Sequence, residues 1–573
     1  MQAPYRARFI GTQHMAAAGH YLAAQAAVHI LEAGGNAIDA GCAGGLALNV
    51  LQSDFCSFGG VAPIMVYLAD QDKVVTIAGV GCWPRAASLD VIQQDYDGHI
   101  PEGILSTVIP AAPDAWLSAL EHYGTMSFSD IAESAIRFAR DGFPSTALNN
   151  MISETYAKGY SRWLDNAEIF LPNGNPPRVG ELFKQTDLGN TLQYMVDEEK
   201  AARRKGDRNK GIRAARDAFY KGDIASTIIK YHSKNGGWLT MKDLAEYRVE
   251  FCPPVSGKFG DVIIFSCGPW SQGPVFPQTL QLLNSSDLAQ FKCNDVNYIH
   301  TVVEALKLSF ADRHYLYGDP NFVSVPMEAL LSEEYTNERR RLIDPNKANP
   351  GMPEPGLRND AHTGISKSGA ANKDSNEDAL DTSYICAVDQ AGNLFSATPS
   401  DASFSVPVIP SLGFAPSGRG TQSWADPTLP NCMAPGKRPR CTPNPAIAMR
   451  PNDWAMPFGS PGNDVQVQAM AQVLMNIAIF DMELQIAVES PRFATVSFPR
   501  SSEPHSYSPG RLHLESRIPN KILKGLRKLG HDVAEWPEWE WKAGDVCAIK
   551  VDTKTGIMEG AADPRRPSGV AGW

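Results

Sequence analysis

The feature that most constrains this chain is an abrupt change at position 382, where a long polar tract meets a strand-like segment. Residues 346–381 contain three prolines and four glycines, and residues 366–378 carry almost no apolar side chains. Such a composition cannot bury enough apolar surface to fold by itself and is typical of a disordered segment. Residues 382–388 (TSYICAV) then have the pattern of a buried strand. The sequence therefore predicts a flexible chain that runs directly into Thr382, a hydroxyl residue at the start of a core strand.

A β-hairpin is predicted to follow from this strand. Residues 389–393 (DQAGN) are turn-forming, with Gly392 suited to the left-handed position, and residues 394–398 form the returning strand. If the first and last turn residues pair, the numbers of paired residues sum to 782, which sets Thr382 opposite Ser400. Directly opposite residues have β-carbons about 5 Å apart. This register predicts that two hydroxyls meet at the end of the hairpin, whereas a one-residue slip in the turn separates them.

Thr382 has the chemistry of a nucleophile if the chain is cut before it. The α-amino group of an N-terminal threonine lies within reach of its own hydroxyl and can act as the general base, so that no histidine is needed. The tract 346–381 supplies the flexible approach that such a cut requires. The alternative interpretation is an exposed linker between two domains, with Thr382 only beginning a strand.

Two further segments bear on the site and its support. Residues 457–464 (PFGSPGND) precede an apolar helical run, and a loop of this kind leaves free backbone N–H groups that can hold an oxyanion. The helix predicted from Asn36 onward has alanine or glycine at most of its positions, which predicts close packing against a neighbouring helix or sheet.

Composition excludes several classes of function. The 573 residues carry a net charge of −11, which gives no electrostatic case for a nucleic-acid partner. No apolar stretch is long enough for a membrane-spanning helix, and the first residues lack the apolar centre of a secretion signal. The ten cysteines show no close pairs and the histidines no metal-ligand spacing, so we expect a cytoplasmic protein without disulfides, catalytic metal or cofactor.

Several segments in order along the chain resemble the γ-glutamyltransferase family of N-terminal-nucleophile hydrolases, which cleave themselves. The resemblance runs through nearly the whole chain. The matching segments are 34–40 (GGNAIDA), 59–60 (GG), 311–313 (ADR) with 318–320 (GDP), 381–384 (DTSY) with 388–393, 435–439 (PGKRP), 459–462 (GSPG) and 562–566 (ADPRR).

This resemblance implies a precursor that is cut between Asp381 and Thr382. Its pieces, residues 1–381 as the large subunit and 382–573 as the small subunit, would together form one α+β domain, a four-layer αββα sandwich. Thr382 would be the nucleophile and its freed amine the base, with Ser400 as the second hydroxyl. Gly462 and Asn463 would supply the oxyanion N–H groups, with Asn463 in place of the usual glycine.

The substrate-binding positions depart from the γ-glutamyl enzymes of the family. No arginine stands where the family clamps the substrate α-carboxylate; in that stretch Trp83 is a candidate pocket residue, and Arg85 lies beyond a proline. Thr442 falls where the family has a serine, and either Asp401 or Ala402 occupies one of the positions that hold the glutamyl amino group. Without a bidentate arginine, recognition of glutathione should weaken greatly.

The chain instead resembles a branch of the family that includes amide hydrolases such as oxamate amidohydrolase. Arg419 either binds a substrate carboxylate or makes a structural ion pair, and both interpretations stay open. Phe55, Phe58 and Trp83 either line an acyl pocket or belong to the core.

These observations predict a self-processing amidohydrolase that acts on a small amide, as a heterodimer that also allows assembly into a homo-oligomer of heterodimers. One alternative is a true γ-glutamyltransferase or glutathione hydrolase. Another is an uncleaved, inactive homologue with a binding role.

Overall fold

The computed structural model describes residues 4–283, 285–357 and 381–573, with strands and helices throughout. The strands are β1 (Phe9–Gly11), β2 (Met15–Ala18), β3 (Ile64–Leu68), β4 (Lys73–Ala78), β5 (Phe143–Pro144), β6 (Leu182–Phe183), β7 (Glu250–Cys252), β8 (Val255–Phe259), β9 (Val262–Ser266), β10 (Ile385–Val388), β11 (Leu394–Ala397), β12 (Ala446–Arg450), β13 (Trp454–Gly459), β14 (Phe493–Thr495), β15 (Arg511–Glu515), β16 (Asp532–Trp536), β17 (Cys547–Asp552), β18 (Met558–Ala562) and β19 (Gly569–Gly572).

The helices lie mostly before residue 345. They are α1 (Tyr21–Glu32), α2 (Ala37–Leu51), α3 (Leu89–Asp95), α4 (Ala112–Tyr123), α5 (Phe128–Asp141), α6 (Ala147–Thr155), α7 (Ala157–Tyr160), α8 (Leu164–Phe170), α9 (Thr186–Arg203), α10 (Arg208–Tyr220), α11 (Asp223–Lys234), α12 (Met241–Glu246), α13 (Val275–Leu282), α14 (Ser285–Leu288), α15 (Val296–Leu316), α16 (Met327–Leu330), α17 (Glu333–Arg340), α18 (Gln466–Ala478), α19 (Leu484–Glu489) and α20 (Asn520–Leu529).

Two seven-stranded sheets dominate the described part of the chain. One has the order β1-β18-β17-β13-β12-β9-β8 and the other β19-β2-β10-β11-β3-β4-β7. Each sheet combines strands from before position 381 with strands from after position 382. The predicted site of cleavage therefore does not separate two independent folding units.

Three apolar layers show how the sheets and helices are stacked. The middle layer joins residues of both sheets, such as Met15, Cys386 and Ile549, so the two sheets face each other. A second layer packs α1, α2, α4 and α5 on the outer face of one sheet, and a third packs α13, α15 and α18 on the other. This arrangement is the predicted αββα sandwich.

The strand β10 shows how the sequence pattern selects these layers. Ile385 and Ala387 contact the helical layer, whereas Cys386 and Val388 lie between the sheets. Alternation of side chains along a strand sends successive residues to opposite faces, and here both faces are apolar. The strand is therefore buried along its whole length.

Helix α2 packs very closely against the sheet, as its small residues predict. Asn36 caps its first turn, and the side chain of Asp39 completes the capping box. A β-carbon at Gly41 would lie 2.0 Å from a ring carbon of Phe395 on β11. Only glycine allows this approach, which presses the helix against the hairpin that carries Thr382.

The hairpin has the predicted register. Ile385 pairs with Ala397 and Val388 with Leu394, so paired numbers sum to 782, and Gly392 has the left-handed φ of 86°. Backbone hydrogen bonding continues beyond the strands, since the Ser383 N–H donates to Pro399 O at 3.0 Å. The predicted register of the hairpin is therefore confirmed.

The tract that precedes the hairpin begins as ordered chain. The Ala348 N–H donates to Leu529 O at 2.7 Å, and the Met352 N–H donates to the hydroxyl of Tyr507 at 2.7 Å. The rest of the predicted disordered tract, residues 358–380, lies outside the described residues.

Two general properties complete the fold. The ten cysteines are all free thiols, most of them buried. Among the helices of the described segments, none is both long and apolar enough to span a bilayer.

Candidate active site

Two hydroxyl groups meet at the open end of the β10–β11 hairpin. Thr382 Oγ1 lies 2.6 Å from Ser400 Oγ, and both residues are fully buried. The Ser400 N–H donates to Val61 O at 2.9 Å, which ties this hairpin end to the loop before β3. The register that pairs these positions thus produces a hydrogen-bonded hydroxyl pair.

The backbone of Thr382 adopts an unusual conformation. Its φ is 94°, a region that a β-branched residue rarely occupies, and such residues typically carry strain of about 1–3 kcal/mol. The Thr382 N–H donates to Phe55 O at 3.0 Å, and its carbonyl accepts from Arg566 Nη1 at 3.2 Å. The strained residue is therefore held on both sides by fixed partners.

Asp381 and Arg419 surround the hydroxyl pair with charge. The Arg419 guanidinium, only 4% exposed, donates from Nη2 to Asp381 Oδ2 at 2.5 Å and to Ser400 Oγ. The Thr382 hydroxyl donates to Asp381 Oδ1 at 3.1 Å. The side chain of the residue before the predicted cut is thus the acceptor for the predicted nucleophile.

Asp401 forms the second carboxylate beside Arg419. Its Oδ2 accepts from the Ser417 hydroxyl at 2.5 Å and lies 3.7 Å from Arg419 Nε, while Oδ1 accepts from the Gly418 N–H at 2.9 Å. Burial raises the pKa of Asp401 to about 6, although the Arg419 charge opposes the shift. The same two carboxylates hold the pKa of Arg419 above its usual value despite its burial.

The loop before α18 contains two successive residues with left-handed backbone conformation. Gly462 and Asn463 both have positive φ, 119° and 54°, at the start of a short 3-10 turn. Their backbone N–H groups make no hydrogen bond to other described residues. Gln466, the first residue of α18, reaches from this loop to Thr382 Oγ1 at 3.4 Å.

Gln422 joins the loop before α18 to the Arg419 segment. Arg419 begins a 3-10 turn that ends at Gln422. The Gln422 amide nitrogen donates to Thr442 Oγ1 at 3.1 Å and to Asn463 Oδ1 at 3.4 Å, and its oxygen accepts from the Thr442 N–H at 3.0 Å. Thr442 therefore connects to the site through Gln422.

The structure does not bring Arg85 to the hydroxyl pair. Its guanidinium forms an exposed ion pair with Glu246. Trp83 is buried, donates from its indole to Ser423 Oγ at 2.9 Å, and packs against Gly420. Trp83 thus packs against the 3-10 turn that begins at Arg419, and this contact does not bring it to Thr382.

Phe55 and Phe58, two aromatic residues of the predicted pocket, lie in different surroundings. Phe58 packs edge-on against Phe219 and Phe414 within the helical core. Phe55 instead lies beside the site, because its carbonyl accepts from the Thr382 N–H and its ring faces the Arg566 guanidinium at 5.2 Å.

Sequence reasoning missed the roles of Arg566, Gln422 and Gln466. Arg566 belongs to the family motif at residues 562–566 (ADPRR). This motif, in which an aspartate and an arginine precede Arg566, is a recognisable signal. The two glutamines carry no local signal, since their partners lie 20 to 84 residues away.

A cluster of three potential metal ligands lies elsewhere among the described residues. His300, Glu304 and His531 bring ligand atoms within 4.8 Å of one another. These atoms are already engaged, because His300 Nδ1 bonds His531 Nε2 at 2.9 Å and Lys307 donates to Glu304 Oε1 at 2.7 Å. The buried ammonium beside the carboxylate disfavours a cation there.

Comparison with known proteins identifies the family of this fold and site. The family model for gamma-glutamyltranspeptidase matches residues 23–573. The chain belongs to the gamma-glutamyltranspeptidase family. Membership agrees with the resemblance drawn from the sequence, including its N-terminal-nucleophile fold.

Individual relatives cover essentially the whole chain. A glutathione hydrolase-like YwrD proenzyme of Bacillus subtilis is 28% identical and covers 98% of this chain and 99% of its own. An oxamate amidohydrolase proenzyme of Klebsiella pneumoniae is 27% identical, with coverage of 98% and 99%. The crystal structure of a cephalosporin acylase from Bacillus halodurans superposes with a TM-score of 0.84 at 28% identity, covering 100% of this chain and 98% of its own.

These comparisons establish the general class of this family member. It is an amide-hydrolysing enzyme of the N-terminal-nucleophile type, made as a proenzyme. A buried hydroxyl and free backbone N–H groups are components that acyl transfer uses, as nucleophile and as oxyanion donors.

Proposed function

We propose that this protein is a self-cleaving amide hydrolase that uses Thr382 as its nucleophile and acts on a small amide. The observation that carries the proposal is the 2.6 Å contact between the Thr382 and Ser400 hydroxyls at the start of a buried hairpin. The relatives named as an amidohydrolase and an acylase support chemistry at an amide bond.

Maturation would proceed by an internal acyl shift. Thr382 Oγ1 attacks the carbonyl carbon of Asp381, the C–N bond breaks, and the nitrogen takes a proton to become the α-amine of Thr382. Water then hydrolyses the resulting ester and leaves Asp381 as a new C-terminus. The positive φ of Thr382 supports this step, because strain in the uncut chain is released when the bond breaks.

In the mature enzyme the freed α-amine of Thr382 would act as the general base. It takes the proton of Oγ1 as this oxygen attacks the substrate carbonyl, and then passes a proton to the leaving amine. An ester-linked acyl-enzyme remains on Thr382. Water, activated by the same amine, attacks this ester and releases the acid.

Ser400 and the loop before α18 would stabilise charge during these steps. Ser400 Oγ bonds the nucleophile and is itself held by Arg419, so it keeps the Thr382 oxygen in one orientation. The N–H groups of Gly462 and Asn463 would donate to the oxyanion, and loss of one such donor typically costs about 10²–10³ in kcat. Asn463 serves as well as a glycine here, because the donor belongs to the backbone.

Arg419, Asp401 and Thr442 would border the substrate, because Arg419 bonds Ser400, Asp401 lies beside Arg419, and Gln422 joins Thr442 to the same segment. The exposed pair of Arg85 with Glu246 gives no support to Arg85 as a ligand. Hydrolysis is favoured over transfer, since we identify no separate site for an acceptor among the described residues.

The proposal is tested by intact mass spectrometry and a denaturing gel of the purified protein. We expect two bands at about two-thirds and one-third of 62.2 kDa, a mass that places the cut before Thr382, and a single full-length band for Thr382→Ala. Incubation with a panel of primary amides should yield ammonia and a mass increase on the small subunit.

Two results would contradict the proposal. A full-length band that persists in the unmutated protein indicates an inactive homologue. Robust turnover of a chromogenic γ-glutamyl anilide, stimulated by a dipeptide acceptor, indicates a γ-glutamyltransferase instead.

A further inference from the structure

We propose that the substrate carries a carboxylate within three bonds of its scissile carbonyl, that Arg419 binds this carboxylate, and that Asp381 fills the same subsite until the chain is cut. The inference rests on the proposed function for its reaction, but its binding claim stands on the contacts of Arg419 alone. It concerns short dicarboxylic acid monoamides, of two to four carbons in the acyl part.

Asp381 is held in the uncut chain by its side chain. Its carboxylate bonds Arg419 Nη2 at 2.5 Å and accepts from the hydroxyls of Thr382 and Ser400, at 3.1 and 3.4 Å. Its backbone makes no hydrogen bond to the other described residues. Among the described residues, the interactions that keep Asp381 in place after the bond to Thr382 is cut are those that any other carboxylate could make.

Departure of Asp381 leaves Arg419 without its close anionic partner. Asp401 stays beside Arg419, 3.7 Å from its Nε, but its oxygens accept from Ser417 and Gly418 and it makes no contact with Nη2, the nitrogen that Asp381 leaves. Arg419 is almost fully buried, and the loss of one partner from a buried charge pair is costly. The mature site therefore favours an incoming anion.

The position of this anion limits the length of the acyl group. Asp381 Oδ1 lies 3.1 Å from Thr382 Oγ1, the atom that attacks the substrate. A reacting carbonyl carbon also lies about 3 Å from that oxygen before attack. A carboxylate oxygen and a carbonyl carbon that both contact this oxygen lie at most about 6 Å apart, so a short chain joins them in the substrate.

The self-cleavage reaction provides the same arrangement within the chain. The Asp381–Thr382 bond is the amide of an acyl group whose own carboxylate is three bonds from the carbonyl carbon. Succinamate has this spacing, and malonamate and oxamate have shorter ones. In γ-glutamyl substrates the carboxylate is four bonds away, one more than in the Asp381 side chain.

Substrate preference is the first test. Mature protein is assayed for ammonia release from succinamate, malonamate and oxamate against their neutral diamides succinamide, malonamide and oxamide, which match them in size. We expect kcat/KM at least tenfold higher for the anionic member of the best pair, because a charge-assisted hydrogen bond is lost in the neutral one. Equal or better turnover of the neutral amides overturns the inference and leaves the proposed function intact.

Binding of succinate provides a test that does not depend on turnover. Calorimetry compares two uncleaved variants, Thr382→Ala and the double variant Asp381→Ala/Thr382→Ala, with the mature enzyme. We expect succinate to bind the mature enzyme and the double variant, and to bind Thr382→Ala at least tenfold more weakly. Equal binding to both uncleaved variants, or no binding to the mature enzyme, overturns the inference even if amides are hydrolysed.

Discussion

At the scale of single residues, Asp381 belongs to the bond whose cleavage we propose and also accepts the hydrogen bond of the hydroxyl proposed to attack it. The Thr382 hydroxyl donates to Asp381 Oδ1 at 3.1 Å, and the α-amine that would later serve as base is still part of a peptide bond. The uncut chain therefore needs another base, and this carboxylate is in contact with the proton to be moved.

We predict that Asp381→Asn slows self-cleavage by about 100-fold or more, since general base catalysis typically contributes 10²–10⁴-fold. Asparagine keeps the size of the side chain but cannot accept the proton. The measurement is the decay of the full-length band with time after cell-free synthesis. Asp381→Glu retains the carboxylate and should recover part of the rate, whereas cleavage of Asp381→Asn at the unmutated rate contradicts the role of base.

Asp54 should make the stability of the protein depend on pH. Burial raises the pKa of this carboxyl to about 7, with Asn149 donating to one oxygen at 3.2 Å. The ordinary value in an unfolded chain is about 3.9, so folding favours the protonated form. The cost of burying the charge thus grows as the pH rises from about 4 and is complete above about 7.

Asp54→Asn should therefore raise the melting temperature more at pH 8 than at pH 5. The shift of about three units corresponds to a maximal gain of about 4 kcal/mol at the higher pH. Asp70→Asn on the exposed turn between β3 and β4 is the matched control and should show no such pH dependence. A gain for Asp54→Asn that is equal at both pH values would be inconsistent with the raised pKa.

At the scale of secondary structure elements, the site depends on how tightly α2 presses on the hairpin. A β-carbon at Gly41 would overlap the Phe395 ring at 2.0 Å, so either the helix or β11 must move. We predict that Gly41→Ala lowers the free energy of unfolding by about 1–3 kcal/mol, the usual cost of overpacking. Thermal unfolding measures this loss.

The control for this variant is Gly206→Ala. A β-carbon there meets only the flexible side chain of Lys210, so the melting temperature should hardly change. Gly41→Ala combined with Phe395→Leu should recover part of the lost stability, because the smaller side chain vacates space. An additive effect of the two substitutions would show that the contact is unimportant.

The hairpin could be predicted from the local sequence pattern and the αββα layers from the resemblance to the family, whereas the charges around the hydroxyl pair could not be predicted. The meeting of Thr382 and Ser400 follows from a turn of five residues, and turn chemistry is local. The contact of Arg419 with Asp381 spans 38 residues and that of Arg566 with Thr382 spans 184. Such pairings are set by tertiary packing, which leaves no periodic pattern in the sequence.

The roles of Arg419 and Trp83 illustrate the same limit. The sequence left open whether Arg419 binds a substrate or an internal carboxylate, and in the uncut chain its partner is internal. Trp83 was a candidate pocket residue because it stands near the family's clamp position. Its burial behind Gly420 depends on the path of two loops that single-residue patterns do not describe.

At the scale of the whole molecule, the two proposed subunits are interleaved. In one sheet, β10 and β11 of the small subunit lie between β2 and β3 of the large one, with antiparallel pairing on both sides. The other sheet places β9 of the large subunit against β12 of the small one. Separation of the pieces would break hydrogen-bonded ladders in both sheets and expose the layer between them.

We therefore predict that the cleaved protein elutes from a sizing column as one particle that contains both pieces in equal amounts. The two pieces expressed separately should fail to give a cooperative unfolding transition. The control is uncleaved Thr382→Ala, which has the same sheets in one chain. It should elute at the same volume as the cleaved protein. Elution of free, folded fragments would contradict the interleaved arrangement.

This interleaving also makes the kinetics of folding different before and after cleavage. A newly made chain folds by itself, since all strands of both sheets belong to one polymer. After the cut, the same two sheets can be rebuilt only when two separate polymers find each other, so the rate of refolding must depend on protein concentration. An enzyme that has been unfolded once by heat is thus chemically identical to a working one, yet it faces a slower, second-order route back.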